Sequence, residues 1–174
     1  MTDRLAAAVR TVPDFPKPGI AFKDLTPILA DAALFAEAIE RLAAPWHAAN
    51  VTHVVGMDAR GFWFGPSLAA ALGAGFVPAR KPGKLPSATV RASYTLEYGE
   101  DALELHADAF GPDARVLVHD DVIATGGTAA AACGLVRQLG ASLVGASFAL
   151  ELAFLDGRAQ LPPDLTVESL LRIS

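Results

Sequence analysis

Apolar and polar positions along this chain change period again and again, and the changes mark its elements. Residues 2–11 read as a short helix, and "PDFPKPG" (13–19) then forbids regular helix with three prolines and a glycine. Ala33 to Ala49 has helical spacing, with Leu34, Ile39 and Leu42 on one side. Val51 to Met57 reads as a strand, Phe62 to Leu72 as a helix after a turn at Gly61, and Phe76 to Ala79 as a strand. Pro82 to Thr95 lacks a core pattern, and two shorter alternating stretches follow, "SYTLEYG" and "ALELHAD". The run Val116 to Val118 sits behind the turn signal Gly111-Pro112-Asp113 and reads as a buried strand over 115–119. A helix over Ala129 to Leu139 closes at Gly140, a strand covers 142–150, and a last strand lies near Thr166 to Leu171. This alternation predicts an α/β domain with a mainly parallel central sheet and helices on both faces. No repeat or linker divides the 174 residues, so one domain over 1–174 is expected.

Composition narrows the function classes. A net charge of −5 and a pI near 5.3 argue against a general nucleic-acid binder. The cations are unevenly spread: Arg80, Lys81, Lys84 and Arg91 cluster in the breaker-rich stretch. One cysteine, Cys133, rules out an internal disulfide and suits a reducing cytosol, and its place in an alanine-rich helix favours packing over nucleophilic chemistry. The apolar patch near the N-terminus is broken by Arg10, which does not suit a secretory leader, and no run approaches about 18 apolar residues. A cytoplasmic protein without membrane contact is expected. The P-loop and dinucleotide-binding glycine patterns are missing, and His47, His53, His106 and His119 lack metal-ligand spacing with Cys133.

The informative string is "RVLVHDDVIATGGT" (115–128). The sequence reads "DDVIATGGT" as a strand-to-helix loop. A helix N-terminus offers free N–H groups and partial positive charge. Gly126 and Gly127 admit close backbone approach, and Thr125 and Thr128 add hydroxyl donors, so the string makes a phosphate cradle. A phosphate repels Asp120 and Asp121, which therefore need another partner. Carboxylates accept hydrogen bonds from vicinal ribose hydroxyls and attract Mg2+. The inferred ligand is a ribose 5-phosphate. "GMDARG" (56–61) also sits just past a strand end and could face the same crevice. His119, next to the acids, reads as a strand-end histidine making a local hydrogen bond.

The string resembles the phosphoribosyl-diphosphate motif of type I phosphoribosyltransferases. Together with "PDFPKPGIAFKDLTPIL", "GMDARGFWFGPSLA", "RKPGKLP" and "SYTLEYG", the chain is similar to the adenine phosphoribosyltransferase family over nearly its whole length. The resemblance implies the type I fold with a small N-terminal hood at about 12–30 and a flexible lid hairpin at about 80–99. It implies transfer of the 5-phosphoribosyl group from 5-phosphoribosyl 1-diphosphate to adenine, giving AMP and diphosphate. Transfer to hypoxanthine or xanthine is the competing reading. Asp120 and Asp121 would hold the ribose, and Ala124, Thr125, Gly126, Gly127 and Thr128 the 5-phosphate. Arg60, Arg80, Lys81 and Lys84 would meet the diphosphate, with a non-proline cis peptide near Asp58-Ala59. Glu97 would serve as acid–base group at the purine, with Tyr98 beside it in the lid. Mg2+ would be held mainly through substrate and water, with no direct protein ligand set. A homodimer is implied as well.

Base choice has its own reading in "GIAFKD" (19–24). In an extended chain the C=O of Ala21 and the N–H of Lys23 face one edge, an acceptor–donor pair that complements adenine's N6 amine and N1. Phe22 would stack on one purine face, with Val122 or Ile123 on the other.

Overall fold

The computed structural model describes residues 3–96 and 99–174. A short helix α1 (Arg4–Ala8) is capped by the Asp3 carboxylate and leads into strand β1 (Arg10–Val12). β1 pairs antiparallel with β2 (Phe22–Asp24) in a ribbon of its own, so the helix expected over 2–11 ends early and its last residues are strand. Helices α2 (Thr26–Ala30) and α3 (Ala32–Ala43) follow. Asp31 starts α3 by accepting from the amides of Ala33 (2.8 Å) and Leu34 (3.0 Å). Pro45 cannot supply the next helical amide, and the expected continuation to Ala49 becomes a 3-10 turn over Ala44–Ala49.

Strands β3 (His53–Met57) and β4 (Gly75–Ala79) bracket helix α4 (Gly65–Ala71), which starts later than its apolar pattern suggested. An antiparallel hairpin, β5 (Thr89–Leu96) and β6 (Gly99–His106), precedes β7 (Arg115–Ile123), α5 (Gly127–Gln138), β8 (Ser142–Leu152) and β9 (Val167–Ile173). The central sheet is parallel in the order β4-β3-β7-β8-β9. Parallel strands covered on both faces need continuous apolar runs, and β7 supplies one. Val116 and Val118 pack toward α5, and Leu117 packs toward α3 and α4.

The hairpin carries a correction to the sequence reading. Leu103 and Leu105 are fully buried in the α5-side core, with Val90, Ala92 and Tyr94 packed partly against it. The stretch from Thr89 is therefore built strand whose inner face belongs to the core.

His119 departs from its reading too. It lies within β7, fully buried and edge-on to Phe64 (ring centroids 6.4 Å apart). Neither ring nitrogen makes a well-formed hydrogen bond among the described residues. Burial lowers its pKa from 6.5 to about 4. The folded state thus resists a proton that the unfolded chain accepts. Stability falls as pH drops below 6.5, and the loss is complete below about 4. The shift corresponds to about 3 kcal/mol. His119→Leu should remove that part of the acid sensitivity. Urea unfolding of both proteins at pH 7.5 and pH 4.5 checks it, and an unchanged difference between the two pH values refutes it. Cys133 is buried in α5, and burial pushes its thiol up to about 11, which suits the packing role.

Candidate active site

The C-terminal ends of β3, β7 and β8 open on one edge of the sheet, where ligands of such sheets bind. β7 runs further than its apolar run, through Asp120 and Asp121 to Ile123. The acids are therefore part of the strand, and the connection to α5 is only Ala124 to Gly126. Asp121 is buried and Asp120 half-buried. Asp120 Oδ1 accepts the Asp121 amide at 2.9 Å. Burial raises the pKa of both carboxyls, and the neighbouring Asp121 charge raises Asp120 further.

The turn after β3 reaches these acids. Arg60 opens a 3-10 turn (Arg60–Phe62), and its Nε lies 3.3 Å from Asp121 Oδ2. Gly61 packs flush on β7, where a Cβ would sit 3.0 Å from Asp120 Oδ1. The Asp58–Ala59 peptide is cis, at the bond the resemblance indicated. The Arg60 guanidinium also lies over the Phe22 ring, 5.6 Å from its centroid. One arginine thus joins the turn, the acid pair and the N-terminal ribbon.

A cavity of about 150 Å³ is lined by Arg60, Asp120, Val122, Ile123, residues 124–126 and Thr128, while Asp121 and Gly127 are not part of its wall. Gly126 has φ +85°, a left-handed conformation that glycine adopts without strain. It turns the chain into α5, whose first amides have no side-chain cap. The first turn of a 12-residue helix therefore presents free N–H groups beside Thr125 and Thr128.

The ribbon holds its open edge in a definite state. Val12 is in register with Phe22, and Pro13 has no N–H to serve the Ala21 carbonyl. Ladder bonds must then run at the pairs Val12–Phe22 and Arg10–Asp24. The alternation leaves Ala21 C=O and Lys23 N–H pointing away from β1. The Lys23 side chain turns back, Nζ to Thr11 Oγ1 at 2.9 Å. Phe15 meets Phe22 edge-on at 5.2 Å. Of the two residues expected on the other purine face, Val122 keeps exposed surface while Ile123 is buried.

Two of the remaining three cations, Arg80 and Lys81, are tied to carboxylates. Arg80 Nε pairs with Asp58 at 3.1 Å, and its Nη1 donates to the Lys84 carbonyl at 3.2 Å. Lys81 bonds Asp101 and, at 3.0 Å, the Tyr94 hydroxyl. Lys84 is exposed. Asp58 and Asp101, the counter-charges of these cations, lie about 20 residues from them along the chain, and the sequence carried no signal for either pairing. Glu97 and Tyr98 lie outside the described residues.

A family model, the phosphoribosyl transferase domain, matches residues 27–167. An adenine phosphoribosyltransferase from Acidobacterium capsulatum is 55% identical over 170 residues, covering 98% of this chain and 93% of the relative. A crystal structure of adenine phosphoribosyltransferase from Rhodothermus marinus superposes with a TM-score of 0.92 at 53% identity, covering 97% of this chain and 96% of that one. The enzyme from Saccharomyces cerevisiae, complexed with an imino-altritol bisphosphate and adenine, superposes with a TM-score of 0.91 at 44% identity, covering 96% of each chain. Site geometry, fold and sequence agree: this chain belongs to the adenine phosphoribosyltransferase family of type I phosphoribosyltransferases.

Proposed function

We infer that this chain transfers the 5-phosphoribosyl group of 5-phosphoribosyl 1-diphosphate to adenine, giving AMP and releasing diphosphate. The observation that carries the reading is a single cavity lined both by Asp120 and by the uncapped start of α5. A phosphate fits the helix start, and ribose hydroxyls fit the carboxylates. The whole chain acts as one domain, with the hood at about 12–30 and the lid at about 80–99.

The residues divide the work by charge. Thr125, Gly126, Gly127 and Thr128 anchor the 5-phosphate, with the Ala124 backbone leading into them. Loss of diphosphate leaves positive character at the ribose C1. Asp120 and Asp121 are held close together in a buried place, so their ionised pair is relieved when a cationic sugar lies nearby. Arg60, Arg80, Lys81 and Lys84 take the charge of the leaving group. Three of them are already paired with carboxylates, which the diphosphate must displace. Glu97 exchanges the purine proton, with Tyr98 beside it, as the family resemblance implies. Ala21 and Lys23 read the base through their backbone, between Phe22 and Val122 or Ile123.

Mg2+ is the expected cofactor. No three ligating side chains converge among the described residues, and the local donor set is a carboxylate pair. That set fits a hard cation that keeps waters and substrate oxygens as its ligands, with Asp120 and Asp121 as the nearest acids. When bound it neutralises charge on the diphosphate. Among the described residues no helix is long and apolar enough to cross a membrane. A cytoplasmic homodimer completes the reading.

Formation of AMP from labelled adenine and the donor tests it. The expected result is turnover that requires the donor and a divalent cation. Binding of adenine without any turnover, under conditions where a known family enzyme is active, overturns it.

A further inference from the structure

The phosphate loop rests on a segment that contributes none of the proposed donor-binding residues. After β8 the chain makes two 3-10 turns, Ala153–Leu155 and Gly157–Gln160, and passes beneath residues 123–126. Gly157 is buried there. A Cβ on it would fall on the Ala124 carbonyl oxygen and lie 2.9 Å from Ile123 Cγ1. The fit is reciprocal: a Cβ on Gly126 would fall on the Gly157 carbonyl oxygen and lie 3.1 Å from Gln160 Cβ. The two backbones touch with no side chain between them, so a shift of one displaces the other.

The same segment is fastened to the sheet beside Gly157. Glu151 is in register with Ile123, the last residue of β7. Its side chain is 5% exposed and takes both prongs of the Arg158 guanidinium, Nε to Oε1 at 2.9 Å and Nη2 to Oε2 at 2.7 Å. Arg158 also donates to the Val167 carbonyl at 2.8 Å and to Ser169 Oγ at 3.2 Å, both on β9. Arg172 lies 3.4 Å from the same carboxylate. A two-pronged, charge-assisted pair fixes direction as well as distance. It ties Gly157's immediate neighbour to the strand that flanks β7.

We propose that the Glu151–Arg158 pair and Gly157 form a clamp that sets the height of the phosphate loop, which makes Gly157 and Arg158 positioning residues for the donor's 5-phosphate. The proposal rests on the donor reading of the cavity. A loop displaced by even a fraction of an ångström loses the aim of its amides at the phosphate. Adenine is held mainly from the N-terminal ribbon, and of its two candidate contacts on β7 only buried Ile123 meets Gly157, so adenine should lose far less than the donor.

The test compares wild type with Gly157→Ala, with Arg158→Ala, and with the pair Glu151→Gln/Arg158→Ala, which removes both charges and leaves no orphan buried carboxylate. Ribose 5-phosphate and adenine binding are measured by calorimetry, and KM for each substrate by initial rates. The clamp predicts ribose 5-phosphate affinity and donor KM worse by about ten- to a hundredfold in Gly157→Ala. Smaller losses of the same kind are expected in the other variants, with adenine KM within about threefold of wild type and Arg158→Lys restoring little because it lacks the fork. If Gly157→Ala does not fold, the double variant decides. Ribose 5-phosphate affinity unchanged in folded variants overturns the clamp, as does equal weakening for both ligands, which marks general loosening. Wild-type protein that binds no ribose 5-phosphate overturns the donor reading and the clamp with it.

Discussion

Hypoxanthine should be used about 10⁴–10⁵-fold less efficiently than adenine, and Lys23→Pro should erase most of that preference. The expectation comes from the backbone. The register Val12–Phe22 beside Pro13 leaves the Ala21 carbonyl and the Lys23 amide on the open edge of the ribbon. Adenine presents a donor at N6 and an acceptor at N1, which match this pair. Hypoxanthine presents the opposite at both positions, so a closed site would hold two opposed dipoles without water to relieve them. Lys23→Pro deletes the donor and little else, because that amide takes no part in the β1–β2 ladder and an edge position tolerates proline. Phe22 before it is already extended, as a residue preceding proline prefers. Lys23→Ala is the control: it removes only the Nζ contact to Thr11 and should keep the preference. The measurement is kcat/KM for both bases in three proteins. Comparable values for adenine and hypoxanthine in the wild type would sink the backbone account while leaving the phosphoribosyl site intact.

The sheet was legible in the sequence because its strands are covered on both faces. Val54 and Val55 in β3, Val116 to Val118 in β7 and Phe148 to Leu150 in β8 form apolar runs that no other element explains. What stayed hidden depends on residues distant in sequence. Asp120 and Asp121 look like loop because aspartate is poor in strands, yet β7 runs through them and its neighbours carry the ladder on. Arg10 and Thr11 read as the end of a helix, since the partner strand Phe22–Asp24 comes after three prolines. The phosphate loop was readable from Thr125 to Thr128, where the requirement is local. Gly157 was not, because the atoms that forbid its side chain belong to Ala124 and Ile123. The pairing of Asp58 with Arg80 and of Asp101 with Lys81 was hidden for the same reason: each acid matters through the distant cation it holds.

Asp120→Asn should make the protein more stable and much less active. Burial and the adjacent Asp121 charge both raise the Asp120 pKa, so the folded state disfavours the ionised pair. The sign follows directly. Below the ordinary carboxylate pKa both states carry the proton and the wild type loses nothing. As pH rises the unfolded chain ionises first, and the wild type is progressively destabilised until the folded carboxyl ionises too. Asparagine escapes this cost, and its Oδ1 can still accept the Asp121 amide. Arg60 keeps its partner, because its contact is with Asp121. The gain should therefore be large at pH 8 and vanish below about pH 4. Catalysis should move the other way. Removing one preorganised charge beside the developing sugar cation costs about 10²–10³ in kcat. Urea unfolding at pH 8 and pH 3.5, with initial rates on the same samples, checks both halves. A variant less stable than wild type at pH 8 would show that the pair is held by favourable contacts rather than against its own repulsion. An active one would take Asp120 out of the reaction.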